Sequence, residues 1–162
     1  MKFLKSHGET LVFQVVERER KLFVHTLRMY PLLNPDYHRI VNKSSDAKKL
    51  MSHQLELREA MKEHHDANRK LVEEFITRKL IPVVPETGVS VAHVVSLTRA
   101  QVNWLLEVLN DVRVGSWVKL GRPDQDATRS LQVKSENVVA ISGMEFSGYL
   151  QMILLEALRG VG

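Results

Sequence analysis

Asn110, Asp111 and Arg113 stand together in the stretch LNDVRVGSW, between the strongly apolar flanks WLLEVL and VKLG. An amide, a carboxylate and a guanidinium so close together on an otherwise apolar helix can do one of two things. On a helix, Arg113 lies next to Leu109 and Val112, at the edge of the core stripe, and Asn110 lies on the same side. Polar groups placed there need partners. One reading is a pin: Arg113 and Asn110 bond to another helix or to a loop carbonyl, and Asp111, off the apolar row, accepts from a loop amide or another helix's Arg. The other is a shallow polar pocket for a small anion or a peptide carboxylate, bound in the forked geometry that Arg favours. The pin is the preferred reading, and no catalytic role is assigned to the cluster. Trp104 and Trp117 flank it and read as packing residues.

Histidine chemistry is the next candidate. His64 and His65 sit beside Glu63 and Asp66, which invites a metal. Adjacent helical positions point about 100° apart and do not chelate one ion together. Met61 and Lys62 stand where a Glu-x-x-His site of a helical bundle needs glutamate, and HExxH is absent. His64 reads as a polar core or edge position and His65 as a solvated one. No metal site and no cofactor is expected. Phosphate-cradling glycine loops and the G-x-S-x-G nucleophile elbow are missing as well. There are no cysteines, which removes thiolate ligands and Cys nucleophiles and suits a reducing cytoplasm. The acid pairs Glu73-Glu74 and Asp124/Asp126 read as solvated charge.

The elements that carry these residues are mainly helical. Leu11, Phe13 and Val15 alternate with Val12 and Gln14, and His7-Gly8-Glu9 separates them from Lys2–Lys5, so residues 1–15 suggest a small β-hairpin. A helix starting near Thr10 is the competing reading. Glu17 and Glu19 open a helix over 17–30, with Val16, Leu22, Phe23, Leu27 and Tyr30 on one face, and Pro31 ends it. Asn34-Pro35-Asp36 is a turn signature. Ser45 can cap a long helix over 45–80 with a 3-4 repeat through Leu50, Gln54, Leu57, Met61, His64, Asn68, Leu71 and Phe75. Pro82 and Pro85 break that pattern, and a valine-rich linker runs to Leu97. Thr98 and Gln101 form a capping box for a helix over 98–120 that buries Val102, Leu105, Leu106, Leu109 and Val112, with Gly121 just past its end. Residues 121–141 read as a loop. Ser142 and Glu145 form a second capping box, opening a last helix over 142–159. The 162 residues make one helical domain, 1–162: a four-helix bundle-like fold with one long helix and the hairpin against one end.

The composition, 44% hydrophobic and 26% charged, is that of a globular chain. The net charge of +4 comes from the N-terminal quarter, where Lys2, Lys5, Arg18, Arg20, Lys21, Arg28, Arg39 and Lys43 lie. That density is low for nucleic-acid binding, which is not expected. The apolar stretch near 146–155 is interrupted by Ser147, Gly148 and Gln151 and reads as too short to span a bilayer, so no membrane role is expected. MKFLKSHGE lacks the apolar run of a secretory signal, and the expected location is the cytoplasm. Met51, Leu55, Val72 and Ile76 lie outside the long helix's 3-4 seam, and they predict a homodimer.

Two segments, LTRAQVNWLLEVLNDVRVGSWVKLG and MEFSGYLQMILLEALRG, resemble an uncharacterised bacterial family known only as a domain of unknown function. The matching residues are Leu97, Thr98, Leu109, Asn110, Asp111, Arg113, Leu120, Gly121, Tyr149, Leu150 and Gln151, covering roughly the last 65 residues. The family has no accepted activity. The resemblance implies a helical fold, and a link to protein turnover through members encoded near the adaptor of a bacterial AAA+ protease.

These readings converge on a non-enzymatic helical protein of bacteria that works by protein interaction, regulatory in kind, with an unidentified protein partner. Two rivals stand beside it. One is a nucleic-acid-associated protein using the basic N-terminal quarter. The other is a ligand-binding protein or enzyme centred on Asn110, Asp111 and Arg113.

Overall fold

The computed structural model describes residues 1–37, 47–81, 92–124 and 132–160. Four helices and a three-stranded antiparallel sheet make it up. Strands β1 (Lys2–His7) and β2 (Thr10–Val15) form the expected hairpin around Gly8, whose φ of +54° is a conformation that glycine adopts without a Cβ penalty. The register shifts between Phe3 and Lys5, an irregularity that bends the edge strand. Residues 93–97, read from the sequence as part of a linker, belong instead with Thr98 to strand β3 (His93–Thr98), paired along β2 from Thr10↔Thr98 to Val15↔His93. The period-2 signal was present: Val95 and Leu97 face the core while Val94, Ser96 and Thr98 are exposed. A strand this short forms because β2 offers it an edge. The proline-rich segment before it and the cap proposed at Ser45 lie outside the described residues.

Helix α1 (Glu17–Arg28) carries Glu17 and Glu19 in its first turn, as expected. It buries Phe23 and Leu27, with Tyr30 just beyond its end, but Val16 and Leu22 are exposed, so its apolar face is narrower than the sequence suggested. The turn at Asn34 forms, its Oδ1 accepting from Asp36 N at 2.9 Å. Helix α2 (Ala47–Phe75) runs on into a wider π-helical turn at Ile76–Leu80. That turn brings both Ile76 and Leu80 into the core. It also frees carbonyls, which distant side chains receive: Arg20 donates to Leu80 O at 2.8 Å and the His93 ring meets Lys79 O. Lys79 in turn donates to Ser96 O on the outer edge of β3 at 3.0 Å.

Helix α3 (Arg99–Lys119) starts on the expected capping box. Gln101 N donates to Thr98 Oγ1 at 3.2 Å, and Thr98 N to Gln101 Oε1 at 3.0 Å. Gly121, with φ +82°, follows its end. Helix α4 (Val138–Arg159) begins four residues before the expected Ser142 cap. Val138 to Ile141 simply extend its apolar stripe, and Ile141 is buried. Asn137 organises the entry, accepting from Lys134 N at 2.8 Å and donating to Gln132 O at 2.9 Å. At 22 residues α4 is long and apolar enough to cross a membrane by length and composition, which the shorter stretch read from the sequence was not. Here Leu150, Ile153, Leu154 and Ala157 pack inward, and Glu145, Glu156 and Arg159 lie outward.

The core joins the inner sheet face (Leu11, Phe13, Val15, Val95, Leu97) to Phe23, Leu27, Ile76, Leu80, Leu105, Leu109, Leu150 and Leu154. The closest helix pair is α3 with α4, and small residues permit that approach. A Cβ on Gly143 would lie 2.8 Å from Ser116 Oγ and 2.7 Å from the Met29 methyl. A Cβ on Gly115 would lie 2.7 Å from Leu32 Cβ and 3.1 Å from its backbone carbon. The segment following α1 is thus pressed into the α3–α4 crossing. By contrast α2 meets the body mainly through its C-terminal half. From Met51 to His64 no side chain is buried, and Gln54, Leu57 and Met61 are half-buried. Val72 and Ile76, assigned from the sequence to an intermolecular surface, are core residues of the chain itself; Met51 and Leu55 are exposed.

Gly115→Ala is expected to destabilise the fold by about 1–3 kcal/mol, because the Leu32 backbone cannot give way as a flexible side chain would. Gly148→Ala meets only ordinary contact, 3.7 Å from Arg113 Nε, and is expected to be neutral or to stabilise by up to about 1 kcal/mol through helix propensity. Urea melts of the two variants beside the wild type check both.

Candidate functional site

The polar residues that the fold gathers lie where α2 faces α3. Asn68, on α2, is buried, and both hydrogens and the oxygen of its amide are used. The NH2 donates to the Tyr30 hydroxyl at 3.2 Å and meets His64 Nε2 at 3.0 Å; the oxygen accepts from Trp104 Nε1 at 3.0 Å. Trp104 can only donate, which sets the amide orientation, and the second NH2 hydrogen then makes His64 Nε2 an acceptor. One amide therefore links α2 to the end of α1 and to α3. Phe75 packs against Trp104 with ring centroids 5.6 Å apart, so large side chains span the gap between the two helices.

Two turns along α3 from Trp104, Asp111 makes the second link. Its Oδ1 accepts from Leu32 N at 2.7 Å and more distantly from Leu33 N at 3.4 Å. Its Oδ2 stands 3.8 Å from His65 Nε2, and both side chains are nearly buried. The Tyr30 ring meets His65 edge-on at 5.7 Å. Burial pushes the Tyr30 hydroxyl above its ordinary pKa; Asn68 opposes that shift, and the negative charges of Asp111 and Glu107 add to it.

The three residues singled out in the sequence are thus not one site. Asp111 faces inward and holds a loop by its amides. Asn110 is exposed. Arg113 is exposed too, and it reaches α4 through a 3.3 Å bond to Gln151 Oε1. Asp111 accepts from loop amides as expected of it, and Arg113 reaches another helix as expected, but from an exposed position and with a side chain as its partner. The histidines exchange the places expected of them: His65 is buried and His64 is exposed, since the buried stripe of α2 steps through 65, 68, 72 and 76. The 3-4 seam read from the sequence missed this because it ran through His64. Asn68 lay on that seam, but nothing local marks it as the residue that joins three helices. Among the described residues no three His, Asp or Glu side chains are gathered as a metal site requires.

A second polar cluster closes the opposite side. Tyr149 on α4 donates to Glu19 Oε1 at 2.9 Å, and the Met1 amino group meets both Tyr149 and Glu19. Burial, and then the Glu19 carboxylate, push the Tyr149 hydroxyl up to about 12. Burial raises the Glu19 carboxyl, but hydrogen bonds from the Met1 amino group and Tyr149 outweigh it and leave the group below its ordinary value. At the exposed start of α1, Arg20 grips Glu17 through two 2.7 Å bonds and draws that carboxyl down to about 2.

Beyond Trp104 the gap between α2 and α3 opens into a groove of about 380 Å³. Leu71, Phe75, Trp104 and Ala100 supply its apolar surface, and Glu74, Arg78, Lys79 and Gln101 its rim. A larger hollow of about 780 Å³ follows Asp66, Arg69, Lys70, Glu73, Glu74, Thr77 and Arg78, the polar face of α2 and the turn after it, with no apolar residue in its lining among the described residues. The chain matches no family model, no curated protein and no solved structure in the comparisons with known proteins. Chemically, the buried cluster is suited to holding helices: its amide is fully used, and its carboxylate is spent on backbone amides.

Asn68→Ala strands the Trp104 indole N–H, and Asp111→Ala strands the Leu32 amide. Each is expected to cost about 1–3 kcal/mol, whereas Asn110→Ala and Arg113→Ala are expected to stay within about 0.5 kcal/mol of the wild type. Denaturant melts of the four variants separate the two groups. For Tyr149 the folded value lies above the unfolded one of about 10, so its stabilisation is complete below pH 10 and is lost as pH rises through about 12. The difference in melting temperature between the wild type and Tyr149→Phe is expected to shrink across that window.

Proposed function

We propose that this is a non-enzymatic helical interaction protein, regulatory in kind, and that α2 is its working element. The observation that carries the reading is the solvated first half of that helix, where Met51 is 76% and Leu55 56% exposed. Apolar residues one turn apart on a solvated helix form a strip that another protein can cover. The internal polar groups support the same reading, because Asn68 and Asp111 are committed to holding the chain together. A second copy of the chain is the first partner proposed, through this strip, and a cytoplasmic location belongs to the same proposal.

The nucleic-acid alternative loses support from the pairing of the basic N-terminal residues. Arg20 and Lys21 face Glu17, and Arg28 faces Glu73 at 3.7 Å; Arg39 and Lys43 lie outside the described residues. Cations already neutralised within the chain release fewer phosphate counterions on binding.

Sedimentation equilibrium at micromolar concentration tests the reading. The wild type is expected to sediment as a dimer, and Met51→Glu/Leu55→Glu as a monomer with an unchanged melting temperature, because neither side chain packs in the core. A wild type that is monomeric throughout would remove the homodimer.

A further inference from the structure

We propose that the groove between the last turns of α2 and the first turns of α3 docks a short acidic segment of a partner protein, anchored by one large apolar side chain. This rests on the interaction reading above and adds to it a second surface and the chemistry of what binds there. The floor is preformed. Phe75 is buried against Trp104, and the Trp104 indole N–H is committed to Asn68 Oδ1, so the ring offers the groove only its carbon surface. Leu71, 48% exposed, forms one wall. Opposite it Ala100 is too small to fill the space. A volume of about 380 Å³ is near the lower end of ligand-sized sites, which begin at about 300 Å³. It admits an aromatic or branched aliphatic side chain and no whole helix.

The rim decides the charge of the occupant. Arg78 is exposed, and among the described residues it forms no ion pair. Lys79 is held beside the groove by its bond to Ser96 O, which fixes the ammonium without neutralising it. Among the described residues Glu74 is the only acid of the lining, beside Arg78 and Lys79, so the described rim carries net positive charge. Hydrogen-bond readout is limited, because Gln101 Oε1 is used in the α3 cap and the indole N–H by Asn68. An apolar anchor with carboxylates beside it matches such a surface: the anchor supplies buried area, and the carboxylates meet Arg78 and Lys79.

The probes are fluorescein-labelled ten-residue peptides with a central Phe flanked by Asp and Glu, the same peptide with Lys flanks, and the acidic peptide with Ala in place of Phe. Anisotropy reports binding. In a Trp117→Phe background Trp104 is the only tryptophan, and its indole N–H resonance reports the place. The expected result is binding of the acidic Phe peptide with a shift of that resonance, weakened about tenfold or more by Arg78→Glu and by Leu71→Asp, and unaffected by Met51→Glu/Leu55→Glu. The Lys-flanked and Ala peptides are expected to bind at least about tenfold more weakly. Thermal melts confirm that the Arg78 and Leu71 variants fold, as their exposure predicts. Absence of binding, equal binding of the Lys-flanked peptide, or indifference to Arg78→Glu overturns the proposal. So does a Trp104 shift with octanoate alone, which would make the groove a site for small carboxylates. If the peptides fail while Met51→Glu/Leu55→Glu still breaks a dimer, the groove proposal falls and the interaction reading stands.

Discussion

The Asp111 carboxylate receives the amide of Leu32 at 2.7 Å, and much of the architecture hangs on that contact. The segment after α1 must leave the core, turn and feed a helix of 29 residues. Its backbone amides would be buried without partners unless something accepted from them, and an ionised acceptor is the strongest available. Asp111 meets that need from the middle of α3. Gly115, one turn later, removes the side chain that would keep Leu32 away. Carboxylate and missing Cβ work as a pair: one attracts the segment, and the other gives it room.

With that segment in place, Tyr30 points toward α2 and Asn68 can use its whole amide. A buried amide is costly when only partly satisfied, which makes it selective. Sliding α2 along its axis by one turn would break the bonds to Tyr30 and Trp104 together, whereas apolar contacts alone would tolerate the slip. The polar layer therefore sets the position of α2, and with it the geometry of the groove beside Trp104. The solvated half of the helix is held by fewer contacts, among them the exposed pair of Arg58 with Asp36 at 3.3 Å, an interaction worth little in water.

Binding surfaces and structural polar groups are consequently separated. The residues richest in chemistry (Asn68, Asp111, His65, Tyr30) face one another, and the residues left for other molecules are apolar side chains along α2 and, in the turn after it, Arg78, which forms no ion pair among the described residues. That division suits recognition by shape and charge, since the polar layer holds the surface still without taking part in binding. Arg113, the most reactive-looking residue of the opening stretch, ends as a surface link to Gln151 because its helix position clears the α3–α4 crossing instead of entering it.

What the sequence determined by itself is what a few neighbouring residues can settle. The Thr98–Gln101 cap, Gly121 beyond α3, Gly8 in the hairpin, the acids opening α1 and the turn at Asn34 are each decided within one turn of chain, so local chemistry placed them. The mainly helical class followed from the same periodicities. Tertiary structure decided what needs a distant partner. Strand β3 exists because β2 has a free edge, and its six residues carry too weak a signal alone. His65 is buried in place of His64 because the stripe facing the body is set by where Trp104 and Tyr30 stand. That Asp111 accepts from a loop amide was legible in its position off the apolar row, but that the amides are those of Leu32 and Leu33, nearly 80 residues away, was not. The early start of α4 at Val138 brings Ile141 into the core, which the expected cap at Ser142 left out. Local signals bound the elements, and the buried polar groups, whose partners lie 30 to 80 residues away, needed the fold to show which of them met.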